Sequence, residues 1–336
     1  MAQLNLPTEI IPGIYQIRLP LENNPAGYIN TYLIEGDKER AMVDTGWNDP
    51  KALEDFARQL ESLGLGLENI DRVIYTHIHP DHFGLAGIIK AGYGIELVAH
   101  REGKALIDYR YYGREHFIPE LGDWHLLHGG TRTHAEAVIA NSTDYTNHVC
   151  PVFPDILLGG GETIDISPFH LQVIWTPGHD NDHICIYEKG AGLLFSGDHI
   201  LPDTVPHIGV HSDISFNPHT SYMESLKALR DIPARTVLPG HERVFDTLPE
   251  RIEQLLAYHT QLKNEILSVL RAGPKSAYQL SSQTKWIEGP MEWDKLAPVT
   301  QAGLVTKALA YLKALCLEGK VEEKVDKNGL RLYNAT

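Results

Sequence analysis

A mixed α/β fold followed by a small helical unit is predicted by three features of the sequence. Strand and helix signals alternate through the first hundred residues, hairpin signals run on from about residue 156, and three helix-period segments closed by a hairpin end the chain. The 336 residues allow one long domain or two ordinary ones, and a 43% hydrophobic content supplies a sizeable core. The 29 glycines and 20 prolines are dispersed, which excludes collagen-like and low-complexity classes.

Residues 13–20, 28–34 and 40–43 read as strands joined by turn residues such as Gly36 and Asp37. Asp49 can cap a following helix that has Pro50 at its first position, with Leu53, Phe56, Leu60 and Leu63 at helical spacing and Gly64 as a stop. Residues 72–75 form a short strand of the buried type, 83–91 a second helix and 95–99 another strand. The segment 101–150 then breaks the rhythm. It is rich in aromatic side chains and carries five histidines without a clean period, and it reads as a helical insertion between core elements. Hairpins return with 156–158 and 163–166, followed by strands at 171–175, 184–187 and 193–195, a helix at 222–229 and a last strand at 236–238.

Beyond a helix around 249–258 the character changes. A helix ending at 271, another over 277–285 and a third over 300–317 precede a hairpin of 320–325 and 330–333. This is the winged-helix pattern, and it divides the chain into a unit of residues 1–258 and a winged-helix-like unit of residues 259–336. The apolar face of Leu304, Tyr311 and Leu315 suits docking on protein, either the larger unit or a second copy in a homodimer.

Charge narrows the function classes. Lys and Arg number 29 against 44 Asp and Glu, a formal net charge of −15. Residues 259–336 hold 11 basic and 8 acidic side chains and residues 1–258 hold 18 and 36, so the larger unit carries −18. Binding to a polyanion calls for a basic field, which argues against a nucleic-acid partner. No apolar run approaches the roughly 18–20 residues that a membrane helix needs, so no membrane association is expected. Residues 1–11 show no basic head followed by an apolar stretch, and Cys150, Cys185 and Cys316 form neither a disulfide framework nor a metal-ligand spacing. The expectation is a cytoplasmic protein.

The informative residues are histidines. In Thr76-His77-Ile78-His79-Pro80-Asp81-His82, four metal-competent side chains follow directly on a strand. A tight strand-to-helix loop lets His77 and His79 face one metal while Asp81 and His82 face a neighbouring one, and imidazole with carboxylate suits zinc and other borderline divalent ions. Burying this cluster without a metal would cost several kcal/mol in unpaired polar groups. Three later strand ends pass through a glycine turn into a polar residue: Gly178-His179, Gly197-Asp198 and Gly240-His241.

With these residues the sequence resembles a metallo-β-lactamase superfamily hydrolase of the glyoxalase II or β-lactamase-like type. The His-x-His-x-Asp-His signature is His77, His79, Asp81 and His82, the later motifs stand at His179, Asp198 and His241, and the strand ending in an aspartate is Met42-Val43-Asp44. The resemblance covers roughly residues 10–245. It implies an αββα sandwich with the site at one edge, and two divalent metal ions, zinc by default with iron or manganese as alternatives. It further implies that His77, His79 and His179 hold the first metal, that Asp81, His82 and His241 hold the second, and that Asp198 bridges them. Asp44 would orient ligands from behind, and Asp81 would orient the attacking hydroxide. A histidine at position 79 departs from the glutamate of oxygen-reducing flavodiiron members, and Asp198 departs from typical zinc β-lactamases.

The chemistry implied is hydrolysis by a metal-bridging hydroxide, with one ion polarising the scissile group. The expected substrate is a small molecule with a thioester, ester or lactone bond, the aromatic insertion serving as a wall over its apolar part. Trp124 and Tyr145 are the candidate wall residues. An alternative within the superfamily is an endoribonuclease or phosphodiesterase, suggested by the winged-helix-like tail. An alternative from another class is a nucleic-acid-binding regulator with Lys307 and Lys313 on its recognition helix. His183, His199, His207 and His211 are candidates to touch or line the site, and Glu242 reads as a structural acceptor rather than the catalytic base.

Overall fold

The computed structural model of the protein describes residues 6–212, 216–287 and 292–336. Two sheets face each other. The first has the order β1 (Thr8–Ile11), β2 (Ile14–Pro20), β3 (Tyr28–Glu35), β4 (Arg40–Val43), β5 (Arg72–Ile74), β6 (Glu96–His100) and β7 (Ile156–Leu158). It is antiparallel from β1 to β4 and parallel from β4 to β7. The second contains β8 (Thr163–Ile166), β9 (Phe169–Trp175), β10 (Ile184–Glu188), β11 (Leu193–Gly197) and β12 (Thr236–Pro239), antiparallel throughout except that β12 joins β11 in parallel.

The period of two along each strand builds the layers. Ala41 and Val43 of β4 meet Ile184, Ile186, Leu193 and Phe195 between the sheets. The intervening Met42 points outward into a core with Phe56 and Leu60 of α1 (Pro50–Ser62). On the far side, Cys185, Tyr187, Leu194 and Val237 pack under Tyr222 and Leu226 of α7 (Pro218–Leu229) and under Ile252 and Leu255 of α8 (Leu248–Leu270). The result is the expected helix–sheet–sheet–helix sandwich.

The predicted cap of α1 is present, with Asp49 Oδ1 accepting from the Lys51 and Ala52 amides at 2.8 and 3.2 Å. The helix predicted over 83–91 is split into α2 (Pro80–Phe83) and α3 (Ala86–Tyr93). Between them Gly84 lies so close to other backbone that a Cβ would stand 2.4 Å from the His148 carbonyl oxygen. Between β6 and β7 run α4 (Arg101–Ile107), a π-helical turn over Asp108–Tyr112, α5 (Arg114–Leu127) and α6 (Arg132–Asn147), so the aperiodic segment is helical.

The C-terminal segments form α9 (Ala277–Gln283), α10 (Pro298–Leu317) and a hairpin of β13 (Val321–Val325) and β14 (Arg331–Ala335). The two helices expected around 249–258 and up to 271 are one. With no glycine or proline between Pro249 and Gly273, nothing interrupts α8, which runs straight through the 258/259 boundary. α10 is buried on most of its surface, with Ala308, Ala310, Tyr311 and Leu312 fully enclosed. Lys307, read from the sequence as part of a recognition helix, is instead inside the protein, its Nζ donating to Tyr258 Oη at 2.7 Å.

Because Leu312 shares one apolar cluster with Leu194 and Val237 of the second sheet, its loss is felt by the whole molecule. Leu312→Ala is expected to lower stability by about 2–5 kcal/mol. In a denaturant titration the single transition should move as a unit, whereas an independently folding tail would show a second transition moving alone.

Candidate metal centre

All the motif residues leave the ends of strands on one rim of the sandwich. Asp44 follows β4, His77 to His82 follow β5, His179 follows β9, Asp198 follows β11 and His241 follows β12. β4 and β5 are parallel, as are β11 and β12, so their carboxyl ends open to the same side. Two of the glycine turns are needed for close approach. A Cβ at Gly178 would lie 2.5 Å from Tyr222 Cα, and one at Gly240 would lie 2.6 Å from Asp198 Oδ1.

The seven residues assemble into two adjoining groups. One ligand atom each of His77, His79 and His179 lies within 4.8 Å of the others, and the same holds for Asp81, His82, Asp198 and His241. Asp198 stands between the groups: its Oδ2 is 3.8 Å from His179 Nε2 and 3.5 Å from His241 Nε2, and its Oδ1 is 3.4 Å from His82 Nε2.

Each imidazole is held from behind by its other nitrogen. His77 Nδ1 meets Thr76 Oγ1 at 3.1 Å and His79 Nε2 meets Asp180 Oδ2 at 3.2 Å. His82 Nδ1 meets Asp44 Oδ2 at 2.8 Å, His179 Nδ1 donates to the His207 carbonyl at 2.8 Å, and His241 Nδ1 donates to the Tyr28 carbonyl at 2.9 Å. This is the arrangement by which outer partners fix the tautomer of a metal ligand. The inward nitrogens His77 Nε2 and His82 Nε2, with Asp198 Oδ1, are buried and have no hydrogen-bond partner among the described residues. Unpartnered polar atoms aimed at one space, from a set of imidazole nitrogens and carboxylate oxygens, fit divalent cations.

Asp44 anchors the centre. At φ +60° it occupies the left-handed region, where aspartate is tolerated better than most residues. Its carboxylate accepts from the Thr76 amide and the Thr76 hydroxyl, both at 2.8 Å, and from His82.

Electrostatics separate the groups. Burial and the neighbouring imidazoles hold His77 well below the usual histidine range, and burial with His79 lowers His179 to about 4, so these rings are neutral with free lone pairs. In the other group burial opposes charge on His82, yet Asp198, Asp44 and Asp81 together raise it to about 10. Burial likewise opposes ionisation of Asp198, but His241 and His82 hold it well below the carboxylate range.

A cavity of about 630 Å³ opens on His79 and His179. Leu106, Tyr109, Phe117, Leu121 and Tyr145 from the inserted helices form its apolar wall. Tyr145 Oη donates to Asp81 Oδ1 at 3.1 Å. Trp124, the other expected wall residue, does not line the cavity. Its indole donates to the Val210 carbonyl at 3.0 Å and stacks beneath Arg331, so it acts in packing.

His207 and His211 do line the cavity, while His183 supports the rim, accepting from the Asp198 amide at 3.2 Å. His199 is buried beside Tyr222, away from the opening. Glu242 accepts from the Asp203 and Thr204 amides, as a structural acceptor does. Sequence reasoning missed Asp180 and its partner Arg110. A carboxylate immediately after His179 was the available signal for the first, and nothing marked the second, which arrives from 70 residues away.

A model of the metallo-beta-lactamase superfamily matches residues 24–241. The chain is 25% identical over 271 residues to a probable metallo-hydrolase of Bacillus subtilis, covering 76% of this chain and 80% of that protein. It is 25% identical over 307 residues to a beta-lactamase-like protein 2 homolog of Caenorhabditis elegans, covering 90% and 84%. It is 24% identical over 337 residues to the atrochrysone carboxyl ACP thioesterase of Passalora fulva, covering 96% and 81%. A crystal structure of a metallo-beta-lactamase family protein from Thermus thermophilus matches with a TM-score of 0.81 at 27% identity, covering 98% of this chain and 100% of that one.

Replacing Asp44 tests the anchor. Asp44→Asn keeps a residue suited to the backbone but turns one acceptor into a donor, leaving Thr76 or His82 mismatched. A loss of about 1–3 kcal/mol is expected in denaturant titration, and a change below about 0.5 kcal/mol would contradict the role given to this carboxylate.

Proposed function

The chain belongs to the metallo-beta-lactamase superfamily and is a metal-dependent hydrolase, and from that premise we propose that it cleaves a thioester, ester or lactone bond in a small substrate with an apolar acyl part. The observation that carries this reading is the 630 Å³ aromatic cavity opening directly on His79 and His179. In this reading His77, His79 and His179 hold one divalent ion and Asp81, His82 and His241 the other, with Asp198 shared. Zinc suits the mixed nitrogen and oxygen donors. Two such ions, when bound, supply a Lewis acid and make hydroxide available near neutral pH.

The chain's own groups do the rest. The inserted helices hold the acyl part and exclude water from around it. Asp81, fixed on one side by the Tyr145 hydroxyl and on the other by His241 Nε2 at 3.2 Å, orients the attacking water. Attack at the carbonyl carbon breaks its bond to the leaving sulfur or oxygen, giving a carboxylate and a thiol or alcohol. Residues 259–336 act as a winged-helix-like packing unit. Their helix α10 braces the insertion through Gln301, whose Oε1 lies 2.5 Å from His134 Nε2.

The relative named as an ACP thioesterase supports the thioester class. The acidic composition, a net −15, and the buried Lys307 weigh against RNA and against a nucleic-acid regulator.

Elemental analysis of the metal-replete protein should give two ions per chain, and His179→Ala or Asp198→Ala should lose metal and activity together. A screen of acyl thioesters, lactones, β-lactams and short RNAs should give turnover with the first two classes. RNA cleavage with inert thioesters and lactones would reverse the reading. Within the favoured class, Phe117→Ala is expected to raise KM for apolar acyl substrates about tenfold, the equivalent of about 1.5 kcal/mol of lost apolar contact, with metal content unchanged. Equal KM values for the variant and the parent would remove the wall role.

A further inference from the structure

Resting on the two-ion reading, we propose that Arg110 is a positioning residue for the metal centre, acting through Asp180 on His79, so that the inserted helices that wall the cavity also set how tightly one of the two ions is held. Asp180 is 6% exposed and its carboxylate is engaged from both sides. Arg110 binds it with both guanidinium ends, Nη1 to Oδ2 and Nη2 to Oδ1, the latter at 3.0 Å. His79 Nε2 lies 3.2 Å from the same Oδ2. The fork fixes the plane of the carboxylate, and the carboxylate fixes the ring and tautomer of His79, leaving His79 Nδ1 directed inward, 3.1 Å from His179 Nε2.

A second tie comes from the next residue of the same turn. Tyr111 Oη donates to the Ile78 carbonyl at 2.6 Å, which pins the backbone between His77 and His79. Both ties leave the π-helical turn Asp108–Tyr112. That turn is wider than an α-helical one, so the neighbours Arg110 and Tyr111 both reach the metal loop, and such turns concentrate at functional sites. Asn181 adds a third link, its Nδ2 donating to Glu102 Oε2 of α4 at 3.0 Å. Among the described residues, the insertion reaches the Asp81, His82, Asp198 and His241 side through the Tyr145 hydroxyl on Asp81, and it puts no such fork behind either imidazole there. The outer partners of those two rings are Asp44 and a backbone carbonyl of the sandwich itself.

The prediction is asymmetric. Removing the clamp should weaken the ion at His77, His79 and His179 and spare its neighbour. Full-length protein loaded with zinc is titrated with a competing chelator for the parent, Asp180→Asn, Arg110→Ala and Arg110→Lys, with retained zinc counted per chain. The expected result is one ion released about 10–100-fold more easily in Asp180→Asn and Arg110→Ala, the other held as in the parent. Arg110→Lys, which keeps the charge and loses the fork, should fall between. The proposal is overturned if both variants keep both ions at the parent's affinity. It is overturned equally if both ions weaken together in step with a lowered melting temperature of the chelated protein, the signature of a merely structural role. A parent protein that takes up fewer than two ions defeats the two-ion reading, and the proposal with it.

Discussion

Lone pairs that face one another in a buried space repel, and at this rim the Tyr145 hydroxyl and His241 on Asp81 relieve only part of that repulsion. Five imidazoles and two carboxylates converge there, and three of their inward atoms have no hydrogen-bond partner among the described residues. Such a cluster is stable only if a cation neutralises it or if the chain holds each member rigidly in place. The fold does the second. Every imidazole is gripped through its outer nitrogen, and the grips come from separate parts of the chain: a hydroxyl beside β5, a carboxylate beyond β9, a carboxylate beyond β4, a carbonyl of the 203–212 loop and a carbonyl opening β3.

This dispersal of supports ties the centre to the sandwich as a whole. The parallel pairs β4–β5 and β11–β12 bring the loops of Asp44, His77–His82, Asp198 and His241 to one edge, and the apolar layer between the sheets fixes their separation. Tyr32 shows the coupling at the scale of one residue. Its ring packs edge-on against Phe195 in the inter-sheet core while its hydroxyl donates to the Pro239 carbonyl at 2.7 Å, two residues before His241. Packing in the interior is thereby converted into position at the rim.

Much of this was legible in the sequence because metal chemistry and backbone turns leave local marks. The His77–His82 cluster, the glycine turns before His179, Asp198 and His241, and the aspartate ending β4 are short-range signals, and the structure brings those residues together. Alternation in the strands and the Asp49–Pro50 helix start were also local. What could not be read was long-range or context-dependent. Arg110 meets Asp180 only after the insertion has folded back over the rim. Trp124 and Tyr145 look alike as aromatics, and only packing sends one to the Val210 carbonyl and the other to Asp81. Lys307 looked solvated because its partners, Tyr258 and Trp286, come from outside its own helix. The division at 258/259 followed a change in composition, whereas the backbone continues unbroken through α8.

The continuity of α8 has a consequence for how the molecule is made. The apolar layer over the second sheet draws members from Trp124 to Tyr333, with Tyr311, Leu312 and Leu315 of α10 among them. A chain emerging vectorially completes both sheets and all the rim residues by His241, yet the cover over Cys185, Leu194 and Val237 stays unfinished until about ninety further residues have appeared. Through that interval the nascent protein displays a greasy flank while the imidazoles and carboxylates of the rim have emerged without the full packing that holds them. It is in that interval that a chaperone's grip, or premature capture of a cation, has most to act on.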